Sequence, residues 1–306
     1  IDRCPHRFAP LSLGSVIDGA LRCDYHGLRF DGKGTCVHNP HGDGNIPPNS
    51  SIKSYHVIEK YNFIWLWAGK PENADESKIP DYSFLATPEK FSVVKGYLHV
   101  QGNYQLVVDN LLDLSHAAYL HPEFAIPGMD PEKYVAAATM RLERKSEESL
   151  TLYRMRSGIP PNPATAKLFG FDKDAPVNTR THMTWHAPAL MNFDLGTCLP
   201  DTPEEDGLCI PQAHCMTPET ELTCHYFFAC GRNMRHNDKE ADDALFALLD
   251  NAFRNQDEPM IGAVQNRMGA TSDFDSQKPV LLSIDAAPVA ARRALRSLIS
   301  KEESTE

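Results

Sequence analysis

Two short stretches near the start of the chain decide its fold: Cys4-Pro5-His6-Arg7 and Cys23-Asp24-Tyr25-His26-Gly27-Leu28. Their two thiolates and two imidazoles suit one tetrahedral Zn²⁺. They also suit a cluster of two irons and two sulfides, with both cysteines on one iron and both histidines on the other. A zinc finger groups its cysteines together and its histidines together on a helix, whereas here each stretch supplies one Cys and one His. The spacing therefore favours the iron–sulfur cluster over zinc.

Around these stretches, the first part of the chain reads as short strands separated by Gly, Asp and Pro turns. The predicted strands are Leu28–Phe30, Ile52–Ile58 and Phe63–Trp67. The chain begins at Ile1, three residues before Cys4, and we expect the natural N-terminus and the first strands of this unit to be missing. We therefore predict an all-β [2Fe-2S] domain over residues 1–82.

The rest of the chain alternates between strand and helix patterns. We predict strands within 148–156, 179–198, 208–216 and 221–230, and helices over Val107–Leu120, 239–268 (interrupted near Pro259) and 286–302. These elements predict a second domain over residues 83–306, an antiparallel sheet flanked by helices. The fold class of the whole chain is thus α+β.

A second informative stretch runs Asp109-Asn110-Leu111-Leu112-Asp113-Leu114-Ser115-His116, with His121 five residues later. On one helix, Asp109, Asp113 and His116 would share a face. His121 would lie about 140° away from His116, so both histidines reach one metal only if the helix ends or distorts near Pro122. Two imidazoles and a carboxylate are the facial triad of non-haem Fe(II) oxygenases, and a plain helix with surface histidines is the alternative.

The third ligand should be a carboxylate further along the chain. In the predicted helix 239–268, Leu245, Leu249, Phe253, Asp257 and Ile261 recur every four residues. Asp257 therefore falls on the apolar stripe, where an unpaired charge is costly. An Asp at this position needs a metal ion or a strong hydrogen-bond partner, unless it lies at the edge of the stripe near the break at Pro259.

The pattern D-N-x₂-D-x₂-H-x₄-H downstream of two Cys/His loops resembles the large subunits of Rieske non-haem iron oxygenases. The resemblance extends over nearly the whole chain and points to the vanillate and dicamba O-demethylase branch. Further matching stretches are Cys4–Ser12, Cys36–Gly42, Val108–Leu111 and Thr217–Thr220.

The resemblance implies a set of residue roles. Cys4, His6, Cys23 and His26 would hold the Rieske [2Fe-2S] cluster, and His116 and His121 the mononuclear Fe(II). The third iron ligand of the family lies on a helix in the part of the chain that contains residues 239–268, so Asp257 is the predicted ligand and Glu258 the alternative. Asp113 would bridge an iron-ligand histidine to a Rieske histidine of the neighbouring subunit, the position that His26 matches. Asp109, Asn110 and Asp113 are accordingly the candidate catalytic residues.

The resemblance also implies an activity. Electrons from NADH would pass through a flavin or ferredoxin-type reductase to the Rieske cluster and then to the Fe(II), where O₂ is activated. A methoxylated aromatic acid would be demethylated to a phenol and formaldehyde, by a homotrimer. Ring hydroxylation or N-demethylation on the same scaffold, a pure electron carrier, and a zinc-stabilised binding module are the alternatives. Asn192 and His214 are candidates to hydrogen-bond the substrate carboxylate, or else ordinary polar residues of strands.

Composition narrows the class of protein. The net charge of −11 argues against nucleic acid and acidic membranes as partners. The longest apolar run, Phe63–Ala68, is far shorter than the roughly 20 residues of a membrane helix. Eight cysteines are too few for a secreted disulfide scaffold of this length, so we expect a reducing, cytoplasmic location.

Overall fold

The computed structural model describes residues 1–304, which divide into two compact units between Lys78 and Ile79. Residues 305 and 306 of the predicted second domain lie outside the described residues. Tyr82, which the sequence analysis assigned to the first domain, belongs to the second unit. Its side chain is fully buried, and its hydroxyl donates to the backbone carbonyl of Met191 at 3.0 Å.

The first unit is made of short strands and turns, as predicted. Its strands are β1 (Ser15–Ile17), β2 (Ala20–Arg22), β3 (Arg29–Phe30), β4 (Cys36–His38), β5 (His56–Lys60) and β6 (Phe63–Trp67). Strands β1 to β4 form one antiparallel sheet in that order, and β5 pairs with β6 alone.

Tight turns set the two clearest hairpins of this unit. Asp18-Gly19 connects β1 to β2 with φ of 52° and 76°, and Tyr61-Asn62 connects β5 to β6 with φ of 57° and 59°. Two successive residues with positive φ match the right-handed twist of the paired strands. Asp-Gly is a sequence signal for such a turn, and it could have located β1 and β2, which our sequence analysis left out.

The second unit contains one seven-stranded antiparallel sheet. Its strands are β7 (Ser92–Val100), β8 (Thr139–Arg144), β9 (Ser149–Ile159), β10 (Val177–His186), β11 (Leu190–Cys198), β12 (Leu208–Pro218) and β13 (Cys224–Arg232). They are ordered β7-β13-β12-β11-β10-β9-β8. The predicted strands are confirmed, whereas β7 and β8 were not predicted.

Helices flank this sheet. They are α1 (Tyr104–Leu112), α2 (Ala117–Leu120), α3 (Pro131–Ala136), α4 (Pro163–Phe169), α5 (Lys239–Asp250), α6 (Glu258–Met268) and α7 (Ala286–Glu303). The predicted α+β class, with an antiparallel sheet flanked by helices, is confirmed. No helix within residues 1–304 combines the length and apolarity needed to cross a membrane.

The core lies on the sheet face that α1, α5 and α7 contact. Phe228 on β13 is 1% exposed and packs against Phe253, with ring centroids 5.0 Å apart. Gly96 on β7 faces Phe228, and a Cβ atom there would lie 2.0 Å from its ring. The absence of a side chain at Gly96 thus makes room for the aromatic ring.

Replacing Phe228 with Ala should lower the free energy of unfolding by about 3–5 kcal/mol, because it removes a fully buried ring and leaves a cavity. Urea unfolding followed by circular dichroism measures the change. Phe227→Ala is the matched control, since Phe227 lies on the opposite face of the same strand and is 37% exposed. Its cost should be about 1 kcal/mol or less. A larger loss for Phe227→Ala than for Phe228→Ala would contradict the assignment of the core face.

Candidate metal centres

The two stretches that decide the fold form a matched pair of loops. In each loop the cysteine N–H donates to the carbonyl five residues further on, at 2.9 Å. The cysteine carbonyl accepts from the N–H four residues further on, Phe8 after Cys4 (2.9 Å) and Gly27 after Cys23 (2.8 Å). Both of these residues have positive φ, 63° and 80° respectively. A glycine adopts this conformation without strain, which explains the glycine that follows the second histidine.

The four side chains on these loops face one another in like pairs. The Cys4 and Cys23 thiols are buried and interact, and burial raises the pKa of Cys4. The rings of His6 and His26 lie with their centroids 4.6 Å apart. Two adjacent thiols and two adjacent imidazoles are the donor set of a Rieske [2Fe-2S] cluster, and the residues fit it.

The helix predicted over Val107–Leu120 is wrong in its middle, because α1 ends at Leu112 and α2 begins at Ala117. Oδ1 of Asp113 accepts from the backbone N–H of Ser115 at 2.9 Å and from its hydroxyl at 2.6 Å. Such a side-chain turn competes with helical hydrogen bonding and ends α1. Asp113 and His116 therefore do not share a helix face with Asp109.

Beyond this break, His116 and His121 flank α2 and converge on Asp257. Nε2 of His116 lies 3.5 Å from Oδ1 of Asp257, and Nε2 of His121 lies 3.3 Å from the same oxygen. The three possible ligand atoms all lie within 4.8 Å of one another. Asp257 is only 6% exposed, so its carboxylate needs positive charge or hydrogen-bond donors beside it.

The Nδ1 atoms of His116 and His121, which do not face Asp257, also form hydrogen bonds. Nδ1 of His116 bonds to the backbone carbonyl of Asp113, and Nδ1 of His121 bonds to Oε1 of Gln256. These bonds leave both Nε2 atoms facing Asp257 and fix the ring orientations. Burial alone would lower the pKa of His121, but the Asp257 carboxylate outweighs it and raises that pKa.

Asp257 reaches this position through an irregularity in the predicted helix 239–268. A π-helical segment, Asn251–Asp257, separates α5 from α6. Pro259 has no N–H to continue the ladder, and the Glu258 N–H donates to the carbonyl of Phe253, five residues back. The carboxylate of Glu258 instead accepts from the N–H of Gln101 at 3.2 Å. The structure thus brings Asp257, and not Glu258, to the two histidines.

The donor set fits a ferrous ion. Two imidazole nitrogens and one carboxylate oxygen form a facial triad, which leaves coordination positions open. Asn110 Nδ2 donates to Oδ1 of Asp257 at 3.0 Å and so steadies the carboxylate. Of the three candidate catalytic residues, Asn110 therefore contacts a candidate ligand directly.

Asp109 points elsewhere. It forms an ion pair with Arg292 and so joins α1 to α7. Burial raises the pKa of Asp109 to about 7, against the opposing effect of Arg292. Asp109 and Asp113 both line a second groove, formed with residues 279–292. The structure thus does not place Asp109 beside the candidate iron ligands.

A largely apolar cavity opens beside the three candidate ligands, against the core face of the sheet. Residues on one face of β9 to β12 line it, among them Thr181, Phe193 and His214, and Leu248 and Phe253 close it from the helical side. Residues of four strands and several helices line the cavity. A cavity of this extent, with a largely apolar wall, suits an organic substrate.

His214 contributes a polar atom to this cavity. Its Nδ1 bonds to the hydroxyl of Tyr226 at 2.7 Å, while its Nε2 is buried without a hydrogen-bond partner. Burial lowers the pKa of His214 to about 3, so the ring is neutral at pH 7.

Asn192 is not brought to the cavity. Its pairing with Ala213 places it on the face of the sheet opposite His214. Its Nδ2 donates to the carbonyl of Asp81 at 2.9 Å, and within residues 1–304 it does not contribute to the cavity wall. The predicted substrate contact of Asn192 is thus not supported, because the strand pattern does not reveal which face of the sheet each residue occupies without the register of the neighbouring strand.

The polar residues of the site that were not predicted from the sequence include Gln256, Arg154 and Arg156. Gln256 carries no signal beyond its position next to Asp257. The two arginines do, because Leu150, Leu152, Arg154 and Arg156 alternate along β9 and continue a buried face. An Arg-x-Arg pair on an otherwise apolar strand face indicates buried charge.

Comparisons with known proteins place this geometry in a family. Residues 1–56 match the Rieske [2Fe-2S] domain, and residues 100–301 match the vanillate O-demethylase oxygenase C-terminal domain. The chain is 38% identical to the oxygenase component of dicamba O-demethylase from Stenotrophomonas maltophilia, covering 97% of this chain and 85% of that one. It is 37% identical to the oxygenase component of chloroacetanilide N-alkylformylase from Rhizorhabdus wittichii (strain DC-6 / KACC 16600), covering 99% and 84%.

Solved structures of relatives have the same fold over nearly the whole chain. Dicamba monooxygenase bound to 3,6-dichlorosalicylic acid matches with a TM-score of 0.90 and 34% identity, over 99% of this chain and 86% of that one. The same enzyme with non-haem iron and dicamba matches with a TM-score of 0.82 and 33% identity, over 100% and 86%.

A Rieske domain followed by a catalytic domain with a two-histidine, one-carboxylate cluster defines the Rieske non-haem iron oxygenases, which carry a [2Fe-2S] cluster and a mononuclear iron. Within that class, the chain belongs to the vanillate O-demethylase family of oxygenase components. The predicted family, enzyme class and two cofactors are confirmed. The assignment of individual residues as ligands stays a prediction.

Replacing Asp257 with Asn should remove the mononuclear iron, because only the two imidazoles would then remain as ligands. Iron and sulfide analysis of anaerobically purified full-length protein should show iron falling from about three to about two per chain, with about two sulfides retained. The visible spectrum of the Rieske cluster should not change. Glu258→Gln is the matched control and should keep about three irons. Iron loss in Glu258→Gln alone would move the ligand to Glu258.

Proposed function

We propose that this terminal oxygenase removes the methyl group of a methoxylated aromatic acid. The observation that carries the proposal is the apolar cavity that includes His116, His121 and Asp257 in its wall. An aromatic ring bound there lies beside the candidate iron site. The relatives that act on dicamba and vanillate are named O-demethylases, which supports the reaction type.

The proposed reaction balances as a monooxygenation. One oxygen atom of O₂ is inserted into a methoxy C–H bond and the other leaves as water, with two electrons and two protons supplied. The resulting hemiacetal breaks its C–O bond to give a phenol and formaldehyde. When bound, the ferrous ion supplies the activation of O₂.

The side chains of this chain position the reactants. Asn110 and Gln256 hold the ligand set from behind, and the apolar walls exclude water from the reacting methyl group. We propose that the Tyr226 hydroxyl donates to Nδ1 of His214, so that Nε2 carries the ring proton and donates to an oxygen of the substrate. We propose no substrate contact for Asn192, since its side chain lies on the other face of the sheet.

The electron path extends beyond one chain. We propose that NADH supplies electrons through a separate flavin or ferredoxin-type reductase, and that three copies of the chain assemble into a ring. In that ring Asp113 connects His116 to His26 of the partner subunit. The position of Asp113, whose carbonyl bonds to His116 and which lines the second groove, supports this role.

N-dealkylation is the second candidate function. It is favoured by the 37% identity to a relative named for N-alkylformylase activity on chloroacetanilides. Both reactions begin with hydroxylation of a C–H bond next to a heteroatom, and they differ in whether that atom is oxygen or nitrogen.

An aerobic turnover assay of the full-length protein with a compatible reductase and NADH tests the proposal. The panel contains methoxybenzoates and N-alkyl chloroacetanilides, and formaldehyde, phenol and aniline products are measured together. We expect formaldehyde and phenol in equal amounts from a methoxybenzoate. The His116→Ala variant should lose turnover and keep its Rieske spectrum. Hydroxylated products without formaldehyde would refute demethylation, and turnover of the chloroacetanilides alone would establish the second candidate.

Replacing Asp113 with Asn should slow turnover by about 100-fold, the upper range for loss of a partner behind a metal ligand. The reason is that a neutral amide no longer offers a carboxylate to His26 of the partner subunit, whereas the backbone carbonyl of residue 113 still bonds to His116. Iron and sulfide contents should match those of the unsubstituted protein, which separates a slowed electron path from metal loss. Full activity of Asp113→Asn would disprove the bridge.

A further inference from the structure

Two arginines form a charged patch on the wall of the cavity. Arg154 and Arg156 are alternate residues of β9 and point to the same face of the sheet. Both are 4% exposed, and both line the cavity that contains the candidate iron ligands. Thr179 and Thr181 on the adjacent strand β10 line the same part of the sheet.

Neither guanidinium has a carboxylate partner. Within residues 1–304 no ion pair joins Arg154 or Arg156 to an acidic side chain, and Nη2 of Arg156 is buried without a hydrogen-bond partner. Arg154 makes no side-chain hydrogen bond to the described residues; its backbone N–H donates to Nδ1 of His182 at 3.3 Å. Buried charges without partners are rare because desolvation is costly.

The other buried arginines of the described chain each form an ion pair with a carboxylate. Arg232 is fully buried and pairs with Asp242 at 2.6 Å, besides donating to backbone carbonyls. Arg292 is 7% exposed and pairs with Asp109. Only the two arginines on the cavity wall lack such a carboxylate, so their missing partner belongs in the cavity.

The fold holds one of the two guanidinium groups in place. Nε of Arg156 donates to the carbonyl of Tyr134 at 3.0 Å, and its guanidinium carbon lies 3.7 Å above the ring of the same tyrosine. A stacked guanidinium is pre-organised to present its remaining N–H groups to a planar oxyanion. Burial lowers the pKa of Arg154 to about 10 and also lowers that of Arg156, yet both remain charged at pH 7.

The charges that line the cavity add up to an excess of positive charge. Among the described lining residues, Arg154 and Arg156 are cationic and Asp257 is the single carboxylate. A ferrous ion, when bound, would add two more positive charges. Asp113 acts electrostatically on Arg154, but from beyond ion-pair distance, and in the proposed bridge it serves the histidines. An anionic ligand neutralises this excess.

We infer that Arg154 and Arg156 bind the acid group of the substrate, a carboxylate or a sulfonate on the aromatic ring, and thereby set the specificity for anionic aromatics. The identity of the ring as a methoxyarene rests on the proposed function. The acid group thus binds at β9, and His214 is left to donate to another oxygen of the substrate.

Anaerobic titration calorimetry of the cluster- and iron-loaded protein tests the inference without turnover. The ligands are 3-methoxybenzoate, 3-methoxybenzenesulfonate and the neutral isostere 3-methoxybenzamide. We expect one of the anions to bind at least about tenfold more tightly than the amide, as for a charge-assisted hydrogen bond gained. The tighter anion identifies the acid group. Equal affinity for all three ligands would overturn the inference.

Variants then assign the effect to the two arginines. Arg154→Gln and Arg156→Gln should each weaken binding of the preferred anion by about ten- to a hundredfold and leave the affinity for the amide nearly unchanged. Arg180→Gln is the matched control, since Arg180 lies on the other face of β10, pairs with Asp194 at 2.8 Å and does not contribute to the cavity wall. It should keep the preference for anions.

If the glutamine variants do not fold, the lysine variants test the inference instead. Arg154→Lys and Arg156→Lys keep the buried charge but lose the planar fork, so anion affinity should still fall by about tenfold. Anion affinity that stays the same in both would overturn the inference. Anion binding that depends on the arginines, without formaldehyde release in the turnover assay, would refute only the proposed demethylation.

Discussion

The catalytic unit depends on one buried carboxylate. Asp257 is 6% exposed and lies between Phe253 and Ile261 on an apolar helical stripe, where an isolated charge would be strongly destabilising. It is tolerated because the Nε2 atoms of His116 and His121 and the amide of Asn110 surround it. These groups come from chain segments more than 130 residues away from Asp257. The need to neutralise this carboxylate therefore ties α1, α2 and the π-helical segment into one site.

Two departures from regular helix make this convergence possible. Straight helices would leave His121 about 140° away from His116 and would carry Asp257 on an unbroken stripe. The side-chain turn of Asp113 ends α1 early, and the π-helical segment before Pro259 widens the turn that precedes α6. Such irregularities lower local stability and are retained where function requires a particular direction of a side chain.

A feature of this unit could be predicted where the interaction that determines it leaves a pattern in the sequence, and could not be predicted where it leaves none. The Cys4 and Cys23 loops were predictable because both candidate ligands of each loop lie within four residues and the loop closes on its own backbone. The burial of Asp257 was predictable from its place on an apolar stripe. The break at Asp113 depends on a side-chain hydrogen bond to Ser115, which no periodicity reveals. The position of Asn192 on the face of the sheet away from the cavity depends on strand register, which requires the neighbouring strand β12.

The same rule about buried charge separates the structural groups of this unit from those that face a ligand. Arg232 and Arg292 are each matched to a carboxylate within the fold, and they serve to join segments. Asp257 is matched to two imidazoles, which is how a fold prepares for a cation rather than satisfying a charge completely. Arg154 and Arg156 are matched to no carboxylate at all within the described chain, although burial imposes the same cost on them. One wall of the cavity thus carries cationic groups without carboxylate partners, and another wall carries candidate ligand atoms for a cation. The cavity is therefore electrostatically polarised from one wall to the other. In the proposed reaction, that polarity would orient a substrate with its acid group at one end of the cavity and the reacting methyl group at the other.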